Sequence, residues 1–472
     1  MTKATFGILV IYICGVCIET TQAQSKITPD ASVANAWADL TIKLMTKTRF
    51  NTPTYGSRAL GYIGLTMYET VVPYSPKNRS VAATLCDTLL MPKAPPKKLF
   101  CPEIALNAGQ AYMLHNFYGF ANKQKWIDAL EDSIKKQYAT QLKPAAVAAS
   151  VAFGRAVATR IFEWSNSDGG IDGWDRNFPK DYVRPVGTGV WVPPLVGQSN
   201  SKIPMHPTWG NNRTFSTQNA KLPLPKPLVY SKNPTSEYYQ QYREVYDRKR
   251  TLTDAEREIV VWWGDDPTLT CSPPGHSYHL ATIAIRNANA DLVKAAETYA
   301  RLGMAVSDAF VVCWKTKFEF MVERPSSFVD SMFNVHRKFE GPWLPMFLEP
   351  PFPSFYSGHA VQSAATATVL TELFGDKVAF TDDTHADRET IKYREREAIP
   401  DDFDPKNYKN FQRKQSEHVV EFRPRTYKSF WEAAQECANS RLMGGIHTRH
   451  DNEVGLKEGV KIGRNINLIK WR

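Results

Sequence analysis

The stretch from Asn287 to about Glu323 keeps its apolar residues on one helical face for longer than most globular helices run, and Pro325 stops it. A helix of that length needs partners along its whole buried side, and a bundle of helices supplies them. Other segments share the period. Ala31 to Met45, Ala59 to Val72, Glu103 to Phe117, Lys123 to Tyr138 and Ala145 to Ser165 read as helices. Helices are expected again at Ser236 to Lys249, Asp254 to Trp263, Gly358 to Phe374 and Phe430 to about Leu456. Strand-type alternation is nearly absent, and no internal repeat of fixed period is found. The expected fold class is all-α, a helical-bundle core with long loops over the site.

Between the two groups of helices, Gly169 to about Pro234 is rich in Gly, Pro and Trp without any period, as in Thr188-Gly189-Val190-Trp191-Val192-Pro193-Pro194. Linkers avoid Trp, so this stretch reads as a packed covering. The expected organisation is a signal peptide over 1–23 and a single α-helical domain over 24–472. The domain divides into N-terminal helices (24–168), the irregular covering segment (169–235) and a catalytic helical core (236–472). A charged insert at 376–428 reads as a surface excursion.

The signal rests on Lys3, the apolar run Phe6 to Ile18 and the small-residue site Thr21-Gln22-Ala23. No later segment is expected to span a membrane, so the mature protein is expected to be secreted or periplasmic. In that compartment Cys86 and Cys101, flanking a Pro/Lys-rich loop, are the best candidate disulfide among five remaining cysteines, the others being Cys271, Cys313 and Cys437. The net charge of +10 suits an anionic partner. Its Lys and Arg are scattered rather than gathered in a tract, which argues against nucleic acid.

Three short stretches carry chemistry. Lys317 and Arg324, in Lys317-Phe318-Glu319-Phe320-Met321-Val322-Glu323-Arg324-Pro325, are spaced to share one face of a helix ending at Pro325. Two cations there can meet a tetrahedral oxyanion, Arg as a fork and Lys as a point charge. Pro353-Ser354-Phe355-Tyr356-Ser357-Gly358-His359 adds a hydroxyl, an amide that backbone can bring close to a ligand, and an imidazole that moves protons near neutral pH. In Ser440-Arg441-Leu442-Met443-Gly444-Gly445-Ile446-His447-Thr448-Arg449-His450-Asp451, Asp451 follows His447 by one turn and can orient its ring. The Gly pair is costly inside a helix, so either something approaches closely there or the helix opens.

In that order, Lys-x6-Arg-Pro, Pro-Ser-x-x-Ser-Gly-His and Ser-Arg-x5-His-x3-Asp resemble the three-part signature shared by type 2 phosphatidic acid phosphatases, bacterial acid phosphatases and vanadium-dependent haloperoxidases. Trp314, Phe318-Glu319-Phe320 and Pro350-Pro351-Phe352-Pro353 make the chain resemble the haloperoxidase branch more narrowly. The resemblance implies a vanadate cofactor with His447 as its axial ligand. Lys317, Arg324, Arg441, the Ser357 hydroxyl and the Gly358 amide would then hold its equatorial oxygens, and His359 would be the acid/base. It further implies Trp314 and Phe352 on the halide side, and Asp265 or Asp266 as a carboxylate orienting the acid/base histidine. Hydrogen peroxide and halide would be the substrates, with a small organic acceptor possible. Phosphate can occupy the same site, so a secreted acid phosphatase using a phosphohistidine is the alternative, followed by a non-catalytic oxyanion-binding protein. Tyr356 departs from the family, which has Pro before Ser-Gly-His. His276 and His279 are left as structural histidines.

Overall fold

The structure is a computed structural model that describes residues 30–472 apart from 50, 88, 195–196, 198–200, 268 and 347. The expected signal peptide lies outside the described residues. Fifteen α-helices are described: α1 (Ser32–Lys47), α2 (Pro53–Val71), α3 (Pro102–Tyr118), α4 (Gln124–Ala139), α5 (Pro144–Ser165), α6 (Thr217–Ala220), α7 (Glu237–Arg250) and α8 (Asp254–Trp262) in the first half. The second half holds α9 (Ser272–Asn287), α10 (Leu292–Phe320), α11 (Pro325–Met332), α12 (Arg337–Glu340), α13 (Gly358–Phe374), α14 (Phe430–Met443) and α15 (Arg449–Asn467). One continuous cluster of buried apolar side chains runs from α1 to Trp471.

The long helix α10 is the axis. Asp291 caps its start by accepting from the Lys294 N–H, and it packs on α2 along one side and α13 along another. α13 in turn lies against α15, which presents Gly455, Gly459 and Gly463 at every fourth position. A Cβ at Gly459 would sit 2.3 Å from the Val361 carbonyl, so the two backbones touch. That close crossing matters because α13 begins at Ser357 and α15 begins at Thr448, bringing two of the three chemical stretches together.

Several expectations are corrected. The helix expected from Phe430 to Leu456 is two helices: Gly445 takes a left-handed φ of +80° and the chain opens between Met443 and Arg449. Lys317 and Arg324 do not share a helical face. α10 stops at Phe320 with Met321 in the left-handed region, leaving Lys317 in its last turn and Arg324 in extended backbone at the cap of α11. α9, starting at Ser272, has no expected counterpart. Its Pro273-Pro274 pair occupies the first turn, where a missing N–H costs nothing.

Cys86 and Cys101 are both free. Cys101 is buried at the start of α3, where Ser150 Oγ accepts from its N–H and its thiol donates to Glu103 (3.1 Å), while the Cys86 N–H is tied to the Phe215 carbonyl. One later helix, α5, is long and apolar enough to cross a membrane by length and composition, and in this fold it packs on α3. The charged insert forms two small antiparallel pairs, β1 (Phe380–Asp382) with β4 (Arg425–Tyr427) and β2 (Ile391–Arg396) with β3 (Gln415–Val420). β2 and β3 are largely exposed, but Asp382 and His385 turn inward and are buried.

The covering segment is packed, as its Trp content implies. Trp191 is fully buried; its N–H donates to the Met321 carbonyl (2.6 Å) and the Glu323 N–H donates to the Gly189 carbonyl (2.9 Å). Further along, Asp308 of α10 accepts from the Phe215 and Ser216 N–H groups and from Asn219. Those bonds lie on both sides of Lys317, so the covering holds the chemical end of α10 in place.

Candidate active site

The opened turn between α14 and α15 determines what His447 can do. Thr448 and Asp451 cap α15 reciprocally, which fixes the Asp451 carboxylate beside the ring. Asp451 Oδ2 lies 3.0 Å from His447 Nδ1 and accepts from the Ser354 hydroxyl at 2.6 Å. With the Nδ1–H directed at that carboxylate, Nε2 keeps its lone pair. Burial pushes the His447 pKa down to about 3, so the ring is neutral at any ordinary pH. Against the opposing effect of burial, the hydrogen bonds from His447 and Ser354 hold Asp451 below its usual carboxylate range.

Cations surround this ring. Arg324 is fully buried; its Nε donates to the Phe352 carbonyl (3.0 Å), its Nη1 donates to the Ile446 carbonyl (2.9 Å) and lies 3.3 Å from His447 Nε2. Its Nη2 is buried without a hydrogen-bond partner among the described residues. Lys317 Nζ donates to the Pro353 and Ser354 carbonyls at 2.9 and 2.6 Å, and burial lowers its pKa to about 7. Both cations lie near the Phe352 ring, Lys317 Nζ at 5.3 Å and Arg324 Cζ at 5.0 Å from its centroid. Arg441, near the end of α14, donates through Nη1 to the Trp263 carbonyl at 2.6 Å.

Ser357 caps α13: its Oγ accepts from the Ala360 N–H, which leaves the hydroxyl hydrogen to donate elsewhere. Gly358 is the first residue of α13, where helix N–H groups lack an intrahelical partner and the macrodipole favours an anion. His359 follows. Burial and then the charge of Arg441 hold its pKa well below the ordinary histidine value, and its Nε2 makes no hydrogen bond among the described residues.

A cavity of about 60 Å³ is lined by Gly358, His359, Arg441, His447, Trp314 and Phe352, with Asp265 among the remaining residues. Trp314 and Phe352 form an aromatic wall with ring centroids 4.7 Å apart, and Trp314 Nε1 donates to the Met205 carbonyl of the covering segment. Lys317, Arg324 and Ser357 are not among the lining residues, although Arg324 Nη1 reaches the lining residue His447. Tyr356 is fully buried, with its carbonyl facing the Cys313 thiol at 3.5 Å. Of the two acids, Asp265 borders the cavity, while Asp266 is half-exposed and its backbone carbonyl accepts from Thr270.

An oxyanion fits this arrangement. Buried Arg324 Nη2 and His359 Nε2 are left without partners, a neutral imidazole lone pair stands beside them, and a helix N-terminus faces the same space. The donor set is one nitrogen ligand within a cationic frame, which suits a tetrahedral oxyanion able to accept a fifth ligand.

Sequence reasoning missed the environment of Asp265. Its carboxylate accepts from His276 Nδ1 (3.0 Å) and His385 Nε2 (2.8 Å), and His276 Nε2 donates to Asp382 (2.8 Å). The Trp262-Trp263-Gly264-Asp265-Asp266 run was its only sequence signal.

Residues 297–469 match the family described as the second helical-bundle domain of VCPO. No curated protein matches the chain by sequence. Among solved structures, a bacterial vanadium-dependent iodoperoxidase is similar at 27% identity over 93% of this chain and 96% of that one, with a TM-score of 0.76. A bacterial vanadium-dependent chloroperoxidase in its holo form shares the fold at 14% identity, over 89% of this chain and 92% of that one, with a TM-score of 0.62.

Proposed function

We infer that this chain, a vanadium haloperoxidase, oxidises halide with hydrogen peroxide to hypohalous acid, with vanadate held at His447. The observation that carries the residue assignment is the His447 ring itself: neutral, fixed through Nδ1 by Asp451, and presenting Nε2 beside Arg324 in a cavity shared with His359 and Arg441.

Bound vanadate supplies a Lewis-acidic centre that binds peroxide and makes it electrophilic without a change of oxidation state. Around it, Arg324, Arg441 and Lys317 offset the negative charge, each in a desolvated setting where the interaction is strong. The Ser357 hydroxyl and Gly358 N–H donate to oxyanion oxygens from the start of α13. His359 Nε2, neutral and unbonded, takes a proton from hydrogen peroxide and returns it to the departing oxygen. Trp314 and Phe352 give the halide an apolar, water-poor approach. One peroxide, one halide and one proton give hypohalous acid and water.

Phosphate suits the same frame and is expected to compete with vanadate. The N-terminal apolar run supports export, secreted or periplasmic, testable by sequencing the mature N-terminus. Likeness to an iodoperoxidase makes iodide the first halide to assay. The deciding experiment reconstitutes vanadate-free protein with orthovanadate and measures peroxide-dependent oxidation of chloride, bromide and iodide. A parallel arm measures phosphomonoester hydrolysis without vanadate. Hydrolysis without vanadate-dependent halogenation would overturn the reading in favour of a phosphatase.

A further inference from the structure

Asp265, at the edge of the cavity, belongs to a second cluster of chemistry-bearing side chains whose histidines the proposed reaction does not use. Asp265, His276 and His385 come from three separate parts of the chain: the turn after α8, the first turns of α9 and the insert after β1. All three are buried, and one potential ligand atom from each lies within 4.8 Å of the others. Asp265 Oδ1 lies 2.8 Å from His385 Nε2 and Asp265 Oδ2 lies 3.0 Å from His276 Nδ1, two hydrogen bonds that a small cation with ligand bonds of about 2.0–2.2 Å would replace.

What surrounds the trio has the form of a ligand support. The far nitrogen of His276 donates to Asp382 (2.8 Å), and Asp382 is anchored by Trp262 Nε1 (2.9 Å) and by the Thr384 N–H (3.0 Å). A carboxylate behind a ligating histidine is the usual arrangement that fixes its tautomer and raises its basicity. Trp263 stacks on His276 at 4.5 Å and 11°, closing the remaining face.

Two buried carboxylates face two imidazoles, and His276 meets a carboxylate at both ring nitrogens, so with no metal bound it carries a proton on each.

We propose that Asp265, His276 and His385 form a second cation site, for a divalent transition metal of the zinc class, supported by Asp382 and adjoining the oxyanion cavity through Asp265. The metal takes Asp265 oxygen, His276 Nδ1 and His385 Nε2, leaving a fourth position for water. His276 releases its Nδ1 proton to solvent and keeps Nε2–H on Asp382. His385 stays neutral as its proton moves to Nδ1. The cation joins the insert to the helical core beside the cavity.

The test uses the full chain freed of metal and vanadate, titrated with zinc and separately with cobalt. Expected are about one zinc per chain, about one proton released per metal bound, a thermal midpoint that rises with zinc concentration, and visible absorption from ligated cobalt. Asp382→Asn is expected to weaken zinc binding by about 10–100-fold, and His385→Ala to abolish the one-to-one stoichiometry. Absence of saturable zinc or cobalt binding by the wild-type chain would overturn the proposal and leave a buried imidazolium between two carboxylates. Binding that survives both substitutions would overturn it too, by placing the metal elsewhere. The wild-type titration decides the matter even if a variant fails to fold.

Discussion

Replacing Asp451 with Asn tests whether the second shell of His447 controls the oxyanion site. In the wild type, Asp451 Oδ2 faces His447 Nδ1 at 3.0 Å and accepts from Ser354 Oγ at 2.6 Å and the Thr448 N–H at 3.4 Å. Asn preserves the volume but supplies two donors and one acceptor in place of an all-acceptor group. If its NH2 turns towards the ring, it donates to Nδ1, the ring proton moves to Nε2, and the lone pair facing Arg324 is lost. If its oxygen takes the place of Oδ2 it still faces all three donors, but each bond loses its charge assistance.

Loss of such a support costs about 10–100-fold in metal-ligand affinity, equivalent to about 1.4–2.8 kcal/mol. The capping contribution of Asp451 to α15 is worth about 0.5–2 kcal/mol of stability, and Asn keeps an acceptor there, so the protein should remain folded. Vanadate affinity measured by calorimetric titration, with thermal unfolding as a control, is expected to fall in that range with a small loss of midpoint. An Asp451→Asn protein that binds vanadate within about twofold of wild type would refute the role given to this carboxylate.

The two histidines should separate cleanly. His447→Ala is expected to lose vanadate retention, whereas His359→Ala keeps most of it and loses turnover; equal loss of binding in both contradicts the assigned roles. Gly459→Ala would put a methyl 2.3 Å from the Val361 carbonyl and 2.7 Å from Ala364 Cβ. It should cost about 1–3 kcal/mol in unfolding experiments and weaken vanadate binding, because α13 carries Ser357 and Gly358; an unchanged midpoint would show that the helices can part freely. His206 is buried, hydrogen-bonded to Thr54 and the Gly173 carbonyl, and burial lowers its pKa to about 4. Its ordinary value is 6.5, so as pH falls below that value the unfolded chain takes a proton that the folded chain refuses, and stability is lost towards pH 4. Between pH 7 and pH 5 the wild type should therefore lose about 2 kcal/mol more than His206→Gln, read from urea midpoints; parallel losses would contradict this.

Much of the site could be read from residue spacing because its chemistry sits on short local motifs. Ser357, Gly358 and His359 open a helix at the expected residue, and the Gly444-Gly445 pair marked the place where the chain opens before His447. The relation of Lys317 to Arg324 was misread because a left-handed residue at Met321 ends the helix early, and nothing in the apolar period announces it. α9 was missed because Pro273-Pro274 reads as a break unless it falls in a first turn. Asp382 and His385 were assigned to the surface because their partners, Asp265 and His276, lie more than a hundred positions away. A charge is legible as buried only when its counter-charge is in view, and here the pairing exists only in three dimensions.

The small cavity beside His359 and His447 has a consequence for selectivity. At about 60 Å³ it is far below the roughly 300 Å³ of pockets that enclose even a small organic ligand. With the oxyanion in place, an aromatic or alkene acceptor is not expected to be enclosed there beside it. The covering segment, hydrogen-bonded to Met321, Glu323 and Pro351, gives that space no obvious hinge. The expected consequence is that the oxidising equivalent leaves before it meets carbon. Which position of an acceptor is halogenated, and with which handedness, is then decided by the acceptor's own reactivity, and the product mixture should match that of hypohalous acid added from a bottle.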